Sequence, residues 1–549
     1  MNRKVIVLFV SIVILASFFR IWKLGQYPIA LYGDEQAFAW NAFNILKTGQ
    51  DEYGTPYPLQ FRSFNDYKAP IPVYLLVPFI AIGGMTPFAI RFPVAIASVL
   101  TVVATYFLSR RFFSVKTSLI VMFLLAVSPW HTHLSRGYFE ATISLLFFVV
   151  GNAIIIRSNL SIKKLLLGMF FFALSLYSYF TPRIVLPFWI CILFLFSFKH
   201  AKGSLQVTFK KAFYITFPKF LIGGLFLIVL ALPLIYLTFF DKGFSRFGKL
   251  MQSAQTQVTL AVNQERYGSG LPDKWKKILH NKATVFTRFV ATNYLQHLSL
   301  DFWYITGDSS LRYFLGNSGM FNLLEMPFLF IGIYALIRKK HSVLFIAISW
   351  MLIAAIPASI VGRPFGVRSL AMLPAPFLIV GYGIVVTVNY LKMSPLRYLY
   401  RGLLVVGFMG TLMYWSLRYF TEYPYYAATW WGWENKAAID LGTKYENDYD
   451  YIFISDFYTA STLAYAVYKS VDPITYRYVV SHPVTLADDR HLIKIGKFYF
   501  GSLDIDSTRL KQQIIPPRSL YIGRPEEADG VDTINAPDDG RVLFKIHRT

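Results

Sequence analysis

Residues 3–36, RKVIVLFVSIVILASFFRIWKLGQYPIALYGDEQ, decide the fold. Val5 to Phe19 is an apolar run behind Arg3-Lys4, and no small-residue cleavage site follows it. It reads as a retained first membrane helix with its N-terminus inside, because short cationic flanks stay on the cytoplasmic face. The acidic pair Asp34-Glu35 comes just past this helix, at the start of a loop 23–70 that this orientation puts outside. The same loop carries Asp51, Glu52, Arg62, Asp66 and Lys68. Acid and base groups beside a bilayer surface point to chemistry on a charged, lipid-borne substrate.

The rest of the 549-residue chain extends the membrane reading. It is 55% hydrophobic and 15% charged, with mean hydropathy +0.45, against about 25% charged in soluble domains. Repeated apolar runs fit a polytopic helical protein, and 51 Phe, 36 Tyr and 11 Trp suit helix packing and interfacial anchoring. The net charge of +24 raises nucleic acid as a partner. Much of it falls instead in clusters at the ends of apolar runs, such as Arg110-Arg111, Lys163-Lys164 and Arg338-Lys339-Lys340, so no nucleic-acid partner is expected. The single cysteine, Cys191, forms no intrachain disulfide.

Alternating the charge clusters predicts about eleven crossings: Val5–Phe19, then about 88–108, 117–130, 139–156, 165–180, 184–198, 217–239, 321–337, 343–358, 370–390 and 402–418. The Pro-rich run 70–84 is expected to be interfacial or re-entrant, since a crossing there would put Arg110-Arg111 outside. Segment 240–320 becomes a large outer loop. Residues 1–419 form one all-α membrane domain. Residues 420–549 form a small α/β domain on the outer face, with strands expected at 451–455, 474–480, 520–522 and 542–546 and a helix at 461–468.

Charged groups recur on the predicted outer face, where they line a cavity or hold a ligand. Asp34 opens the partly apolar helical stripe 36–47, which makes it either an N-cap or a base for an attacking hydroxyl, with Glu35 beside it. Arg62, Lys68, Arg136, Arg183, Arg363 and Arg368 are candidates for phosphate, against the alternative of snorkelling to headgroups. Glu140 is a second acidic candidate. His131 and His133, two residues apart and without a third ligand nearby, do not make a zinc site. GxxxxGK[ST], GxGxxG and CxxC are absent. Gly381-Tyr382-Gly383 reads as helix packing.

Five stretches resemble a known family: YGDEQAFAWNAFNILKTGQDEYG (32–54), FRSFNDYKAPIPVYL (61–75), FAIRFPVAIASVLTVVATYFLSRRFF (88–113), SPWHTHLSRGYFEA (128–141) and GRPFGVRSLAMLPAP (362–376). The chain resembles the membrane glycosyltransferases of GT-C fold, in the branch of protein O-mannosyltransferases and lipid A aminoarabinose transferases (bacterial glycosyltransferase family 39-like). The resemblance covers about residues 1–420, most closely the first 140. It implies a polyprenyl-phosphate sugar donor used from the outer leaflet, Asp34 at the family's catalytic position with Glu35 as neighbour, and Lys68 facing the lipid phosphate. Where the aminoarabinose transferases have Glu-Lys-Pro-Pro this chain has Tyr67-Lys68-Ala69-Pro70, which counts against an aminosugar. The family includes metal-dependent members, and Asp34 and Glu140 are the candidates to hold a divalent cation, Mg2+ or Mn2+.

The expected activity is transfer of a hexosyl or pentosyl unit from a polyprenyl-phosphate donor to an acceptor hydroxyl, with inversion. The acceptor would be an envelope lipid, glycan or protein. The expected setting is a monomeric, multi-pass protein of the cell membrane, N-terminus cytoplasmic and C-terminal domain extracytoplasmic. A transporter or flippase of a lipid-linked sugar is the rival, but it calls for internal repeats that the chain does not show. A scaffold leaves the recurring outer charges unexplained.

Overall fold

A computed structural model describes the chain apart from residues 1, 65, 157–159, 205–207, 240–243, 392–396, 457–459, 486–489, 504–514 and 529. The N-terminal part is helical. α1 (Arg3–Ile21) is followed by α2 (Gly33–Thr48), the hairpin β1 (Phe61–Ser63) and β2 (Asp66–Lys68), α3 (Pro70–Gly83) and α4 (Pro87–Ser109). Then come α5 (Val115–Ala126), α6 (Pro129–His133), α7 (Glu140–Ile155), α8 (Ile162–Leu176), α9 (Thr181–Ser204) and α10 (Phe209–Phe239). The segment expected as a large outer loop carries four helices: α11 (Phe244–Gly268), α12 (Asp273–Leu279), α13 (Lys282–His297) and α14 (Leu300–Tyr304). The bundle closes with α15 (Met326–Lys339), α16 (His341–Val361), α17 (Gly366–Ser369), α18 (Ala375–Tyr390) and α19 (Arg397–Leu417).

Among the described residues, six helices are long and apolar enough to cross a bilayer: α1, α4, α9, α10, α16 and the run Tyr398–Tyr426. A seventh is added if the pair 366–372 and 375–390, bent by 59°, is one span. The other apolar helices are shorter; α3, α5 and α7 have 14, 12 and 16 residues, below the roughly 20 of a full crossing. Arg157 and Lys392, two of the charges used to orient the spans, lie outside the described residues.

Acidic residues divide the molecule. No Asp or Glu occurs before Asp34, between Asp66 and Glu140, between Glu140 and Asp241, or between Glu325 and Glu422. The carboxylates therefore gather at one end of the bundle, where α1 ends and α2 begins.

Close packing depends on small residues where helices touch. A Cβ on Gly383 of α18 would lie 2.1 Å from the Phe328 carbonyl oxygen of α15, and one on Gly332 of α15 would lie 2.2 Å from that of Ile379. The Gly-Tyr-Gly stretch thus lets two backbones meet, as expected of small residues between membrane helices.

The C-terminal part holds α20 (Tyr423–Tyr426), α21 (Trp433–Lys444), α22 (Ser461–Lys469) and α23 (Pro473–Ser481). Its sheet contains β3 (Tyr451–Ile454), β4 (Val484–Thr485), β5 (His491–Ile495), β6 (Phe498–Phe500), β7 (Ser519–Gly523), β8 (Asp532–Asn535) and β9 (Val542–Arg548). The order is β4-β5-β6-β3-β7-β9-β8. β3 runs parallel to β6 and β7, and the other pairs are antiparallel. Strands expected near 451, 520 and 542 and the helix near 461 are present. Ile474–Val480, expected as a strand, is helix α23. Asp472 caps it, its Oδ2 accepting the Thr475 N–H at 2.9 Å, and Pro473 occupies the first turn, a start signal that outweighs the β-branched composition.

Gly383→Ala should cost about 1–3 kcal/mol through overpacking, read as a lowered melting temperature of detergent-purified protein. Gly410→Ala on α19, where an added Cβ meets nothing within 4 Å, should not lower it. Equal melting of both variants would show that α15 and α18 can separate without cost.

Candidate functional site

The site is built at the first turn of α2. The helix starts two residues earlier than the sequence suggests, so Tyr32 is the N-cap and Asp34 lies inside the first turn. Asp34 is therefore not the cap. Glu35, three residues beyond Tyr32, takes that part, its Oε2 accepting the Tyr32 N–H at 3.3 Å.

The two acids face opposite surroundings. Glu35 is fully buried and paired with Arg91, a charge in the second turn of α4. Arg91 Nε donates to Oε1 at 2.8 Å and Nη2 to Oε2 at 3.0 Å. Oε1 also accepts the Tyr138 N–H at 2.8 Å. Arg91 is further saturated by the carbonyls of Leu24, Pro28 and Ala30. This arrangement suits a group that holds the fold, and it leaves Glu35 no opening through which to meet a substrate. Asp34 is 43% exposed, and its Oδ1 accepts from Lys68 Nζ at 2.5 Å.

Lys68 ends β2 and is nearly buried, with its ammonium 4.9 Å from the centre of the Phe38 ring. It also acts on Glu52, whose carboxyl is pushed up to about 7, chiefly by burial. Asp34, Glu140 and Tyr313 all act on the Tyr32 phenol, which burial raises well above its usual range. Arg312, Asp34 and Arg368 act in turn on Tyr313. Aromatic rings wall this cluster: Tyr32 stacks on Phe139 at 5.4 Å, Trp431 meets Tyr32 at 5.4 Å, and Tyr313 packs on Phe365 at 4.5 Å.

Arg368 is held by a loop that Asp308 fixes. Asp308 Oδ2 accepts the Gly366 N–H at 2.6 Å and Oδ1 that of Ser310 at 2.8 Å. Burial raises the Asp308 carboxyl to about 6. Arg368 also lines a narrow cleft with Ser144, Phe148, Tyr179 and Thr181, beside Glu140 at the start of α7.

The remaining candidates lie elsewhere. Arg136 is fully buried. Its guanidinium donates to the carbonyls of Phe19, Trp22 and Tyr27 at 2.9, 2.9 and 3.2 Å. It closes the C-terminal end of α1, as a cation does at a helix terminus, and is not directed at a donor phosphate. Arg62 is exposed on the hairpin, 5.0 Å from the Tyr53 ring. Arg183 stacks on Phe180 at 4.1 Å, and Arg363 is exposed after α16. Sequence reasoning overlooked Arg91, Tyr32, Tyr313 and the anchoring part of Asp308. The available signal was Arg91 itself, the one ionisable residue inside the run 88–108.

Among the described residues no three His, Cys, Asp or Glu side chains converge as metal ligands. Asp34 Oδ1 is taken by the Lys68 ammonium instead. This donor set does not fit a resident metal site.

Arg91→Ala would leave Glu35 charged, buried and unpaired, at a cost of about 3–5 kcal/mol. The expected readout is loss of the monodisperse folded fraction, partly restored in Glu35→Gln/Arg91→Met. Asp308 gives a pH signature. Its folded pKa is raised, so its stabilising contribution is complete below the unfolded carboxyl pKa and is lost as pH rises through about 6. Wild-type melting temperature should fall across about pH 4–6 by an increment that Asp308→Asn removes. Parallel profiles for the two proteins would contradict this.

Residues 67–236 match the family model described as dolichyl-phosphate-mannose-protein mannosyltransferase. No curated protein sequence matches the chain. Among solved structures, ArnT from Cupriavidus metallidurans bound to undecaprenyl phosphate aligns with TM-score 0.52 at 11% identity, covering 100% of this chain and 98% of that one. The same enzyme in the apo state gives 0.50 at 12% identity, covering 98% and 97%. The oligosaccharyltransferase AglB from Archaeoglobus fulgidus gives 0.48 at 14% identity, covering 85% of this chain and 64% of that one, so this chain spans under two thirds of its length. The ArnT alignments give the chain the GT-C membrane fold, and residues 67–236 are similar to the mannosyltransferase family model.

Proposed function

We propose that the protein transfers a monosaccharide from a polyprenyl-phosphate donor to an acceptor hydroxyl at the outer face of a cell membrane. The observation that carries the proposal is the Lys68–Asp34 pair, a nearly buried ammonium 2.5 Å from a half-exposed carboxylate at one end of a membrane bundle. The family match over residues 67–236 and the ArnT-like fold support a lipid-linked donor. The donor of that family would fit a site with this polarity, its phosphate against a cation and its sugar towards the opening.

In this proposal Lys68 and Arg368 receive the donor phosphate, and Lys68 moves from Asp34 to a phosphate oxygen as the donor binds. Arg312, Arg183, Arg363 and Arg62 stand further out and can meet the carrier or the acceptor. The acceptor hydroxyl attacks the anomeric carbon from the face opposite the phosphate. Its proton goes to Asp34, the bond from the anomeric carbon to the phosphate oxygen breaks, and polyprenyl phosphate leaves as the anion. One displacement inverts the configuration. The cations stabilise the charge that develops on the leaving group, and Asp34 supplies general base catalysis. Glu35 and Arg91 hold the first turn of α2 so that Asp34 is presented outward. Glu140 and Tyr313 border the sugar. The α/β domain 420–549 covers this end and contributes to the acceptor side. The sugar is hexosyl or pentosyl, and the acceptor is an envelope lipid, glycan or protein.

Asp34→Asn, folded and inserted as wild type, should lower kcat by about 10²–10⁴ with little change in donor KM. Lys68→Ala should raise donor KM and lower kcat. Both are measured by mass spectrometry of polyprenyl phosphate released from reconstituted protein. Wild-type turnover in Asp34→Asn would remove the base assignment, and an unchanged donor KM in Lys68→Ala would remove the phosphate assignment.

A further inference from the structure

A second ligand-sized space lies far from Asp34. A groove of about 500 Å³ opens between α5, α18 and α19. α5 and α18 pack directly on each other, while α19 closes the third side less tightly. Ile120, Phe123, Leu404 and Phe408 line its length, and among the described residues its charged lining is Lys116 and Arg401. Lys116 lies in the first turn of α5 and Arg401 in the second turn of α19. Phe123 and Phe408 are each seven residues further along, about 10 Å at 1.5 Å per residue. The groove is therefore cationic at one end and apolar beyond it. Val405 and Met409 of its lining are exposed, as are Leu403 and Val406 beside them on α19, so the groove is open along this flank.

The cationic end is opposite the Asp34 site. α5 runs from Lys116 to Ala126, whose carbonyl oxygen accepts from Arg20 near the end of α1. α4 runs from Arg91, paired with Glu35, to Ser109. α19 runs from Arg401 towards Tyr419, whose ring lies 5.4 Å from the Arg136 guanidinium. No carboxylate belongs to any helix that meets here, because the chain has none between Asp66 and Glu140 or between Glu325 and Glu422. Among the described residues neither Lys116 nor Arg401 has a hydrogen bond or ion pair. Lys340 adds a further cation at this end, donating to the Phe112 carbonyl at 2.7 Å. Two cations without a countercharge at the mouth of an apolar groove match a phosphate on an acyl chain. The first turn of α5, where Lys116 sits, favours an anion as well.

We infer that this groove binds an anionic phospholipid of the leaflet opposite the Asp34 site, its phosphate between Lys116 and Arg401 and an acyl chain along α19. The lipid completes the packing of α19, the helix that leads into Tyr419, Tyr423 and Trp431 beside the site. The assignment stands independently of the transfer reaction.

Native mass spectrometry of protein released from bilayers of phosphatidylglycerol and phosphatidylcholine tests it. Wild type should retain phosphatidylglycerol in preference to phosphatidylcholine. Lys116→Ala/Arg401→Ala should lose that retention at least tenfold, while Arg338→Ala/Lys339→Ala keeps it. Phe408→Trp, which fills the groove and leaves both cations, should lose it too. Equal retention of the two lipids by wild type, or phosphatidylglycerol retained by both groove variants, would overturn the inference. Preferential capture of undecaprenyl phosphate would likewise overturn it and give the groove to a lipid carrier.

Discussion

The buried pair between Glu35 and Arg91 is the constraint on which the rest of the site depends. Both groups are fully enclosed, and every charged atom has a partner: the two carboxylate oxygens take Arg91, Tyr32 and Tyr138, and the guanidinium also takes three carbonyls. Desolvating two ions is expensive, and an apolar pair of the same volume often gives equal stability. What the pair provides is position. It ties the first turn of α2 to the N-terminal part of α4 and to the segment 24–30 at once. With Glu35 fixed inward, the preceding residue on the helix is directed elsewhere, and Asp34 reaches the opening and Lys68.

The C-terminal part of the chain reinforces the same helix from the other side. Tyr468 of α22 accepts the Leu31 N–H at 3.0 Å, and Tyr476 packs on Trp40 at 4.7 Å. Arg477 donates to the Gln50 side chain at 2.7 Å and to the Asp51 carbonyl at 3.2 Å. Leu463, Ala466 and Val467 share a core with Phe38, Trp40 and Val94. α2 is thus held between the apolar helices and the C-terminal helices α22 and α23. The domain 420–549 contributes to the shape of the site even where it supplies no reacting group.

Much of this was legible locally. An apolar run behind Arg3-Lys4, an acidic pair just beyond it and a lysine before a Pro-rich helix are short-range signals; they predicted the first apolar helix and singled out Asp34 and Lys68 separately, while the pairing of the two was not foreseen. Arg136 was misread because its partners lie more than a hundred residues away, at the end of α1; nothing adjacent to it shows whether a guanidinium meets phosphate or carbonyls. Glu35 was grouped with Asp34 because they are neighbours, yet consecutive helical residues point about 100° apart. Ile474–Val480 looked like a strand by composition, and the Asp472-Pro473 start signal decided otherwise. The docking of α22 and α23 on α2 has no sequence signature, since it joins residues over four hundred positions apart.

The central claim is that the sugar leaves its lipid phosphate at this protein. The most direct measurement follows one reconstituted bilayer containing a polyprenyl-phosphate sugar and an extracted envelope acceptor, and counts free polyprenyl phosphate against sugar gained, with the anomeric configuration of the product read by NMR. One polyprenyl phosphate released per sugar transferred, with inversion, is the predicted result. Intact donor that crosses the bilayer without being consumed would contradict the account and make the protein a carrier of lipid-linked sugar.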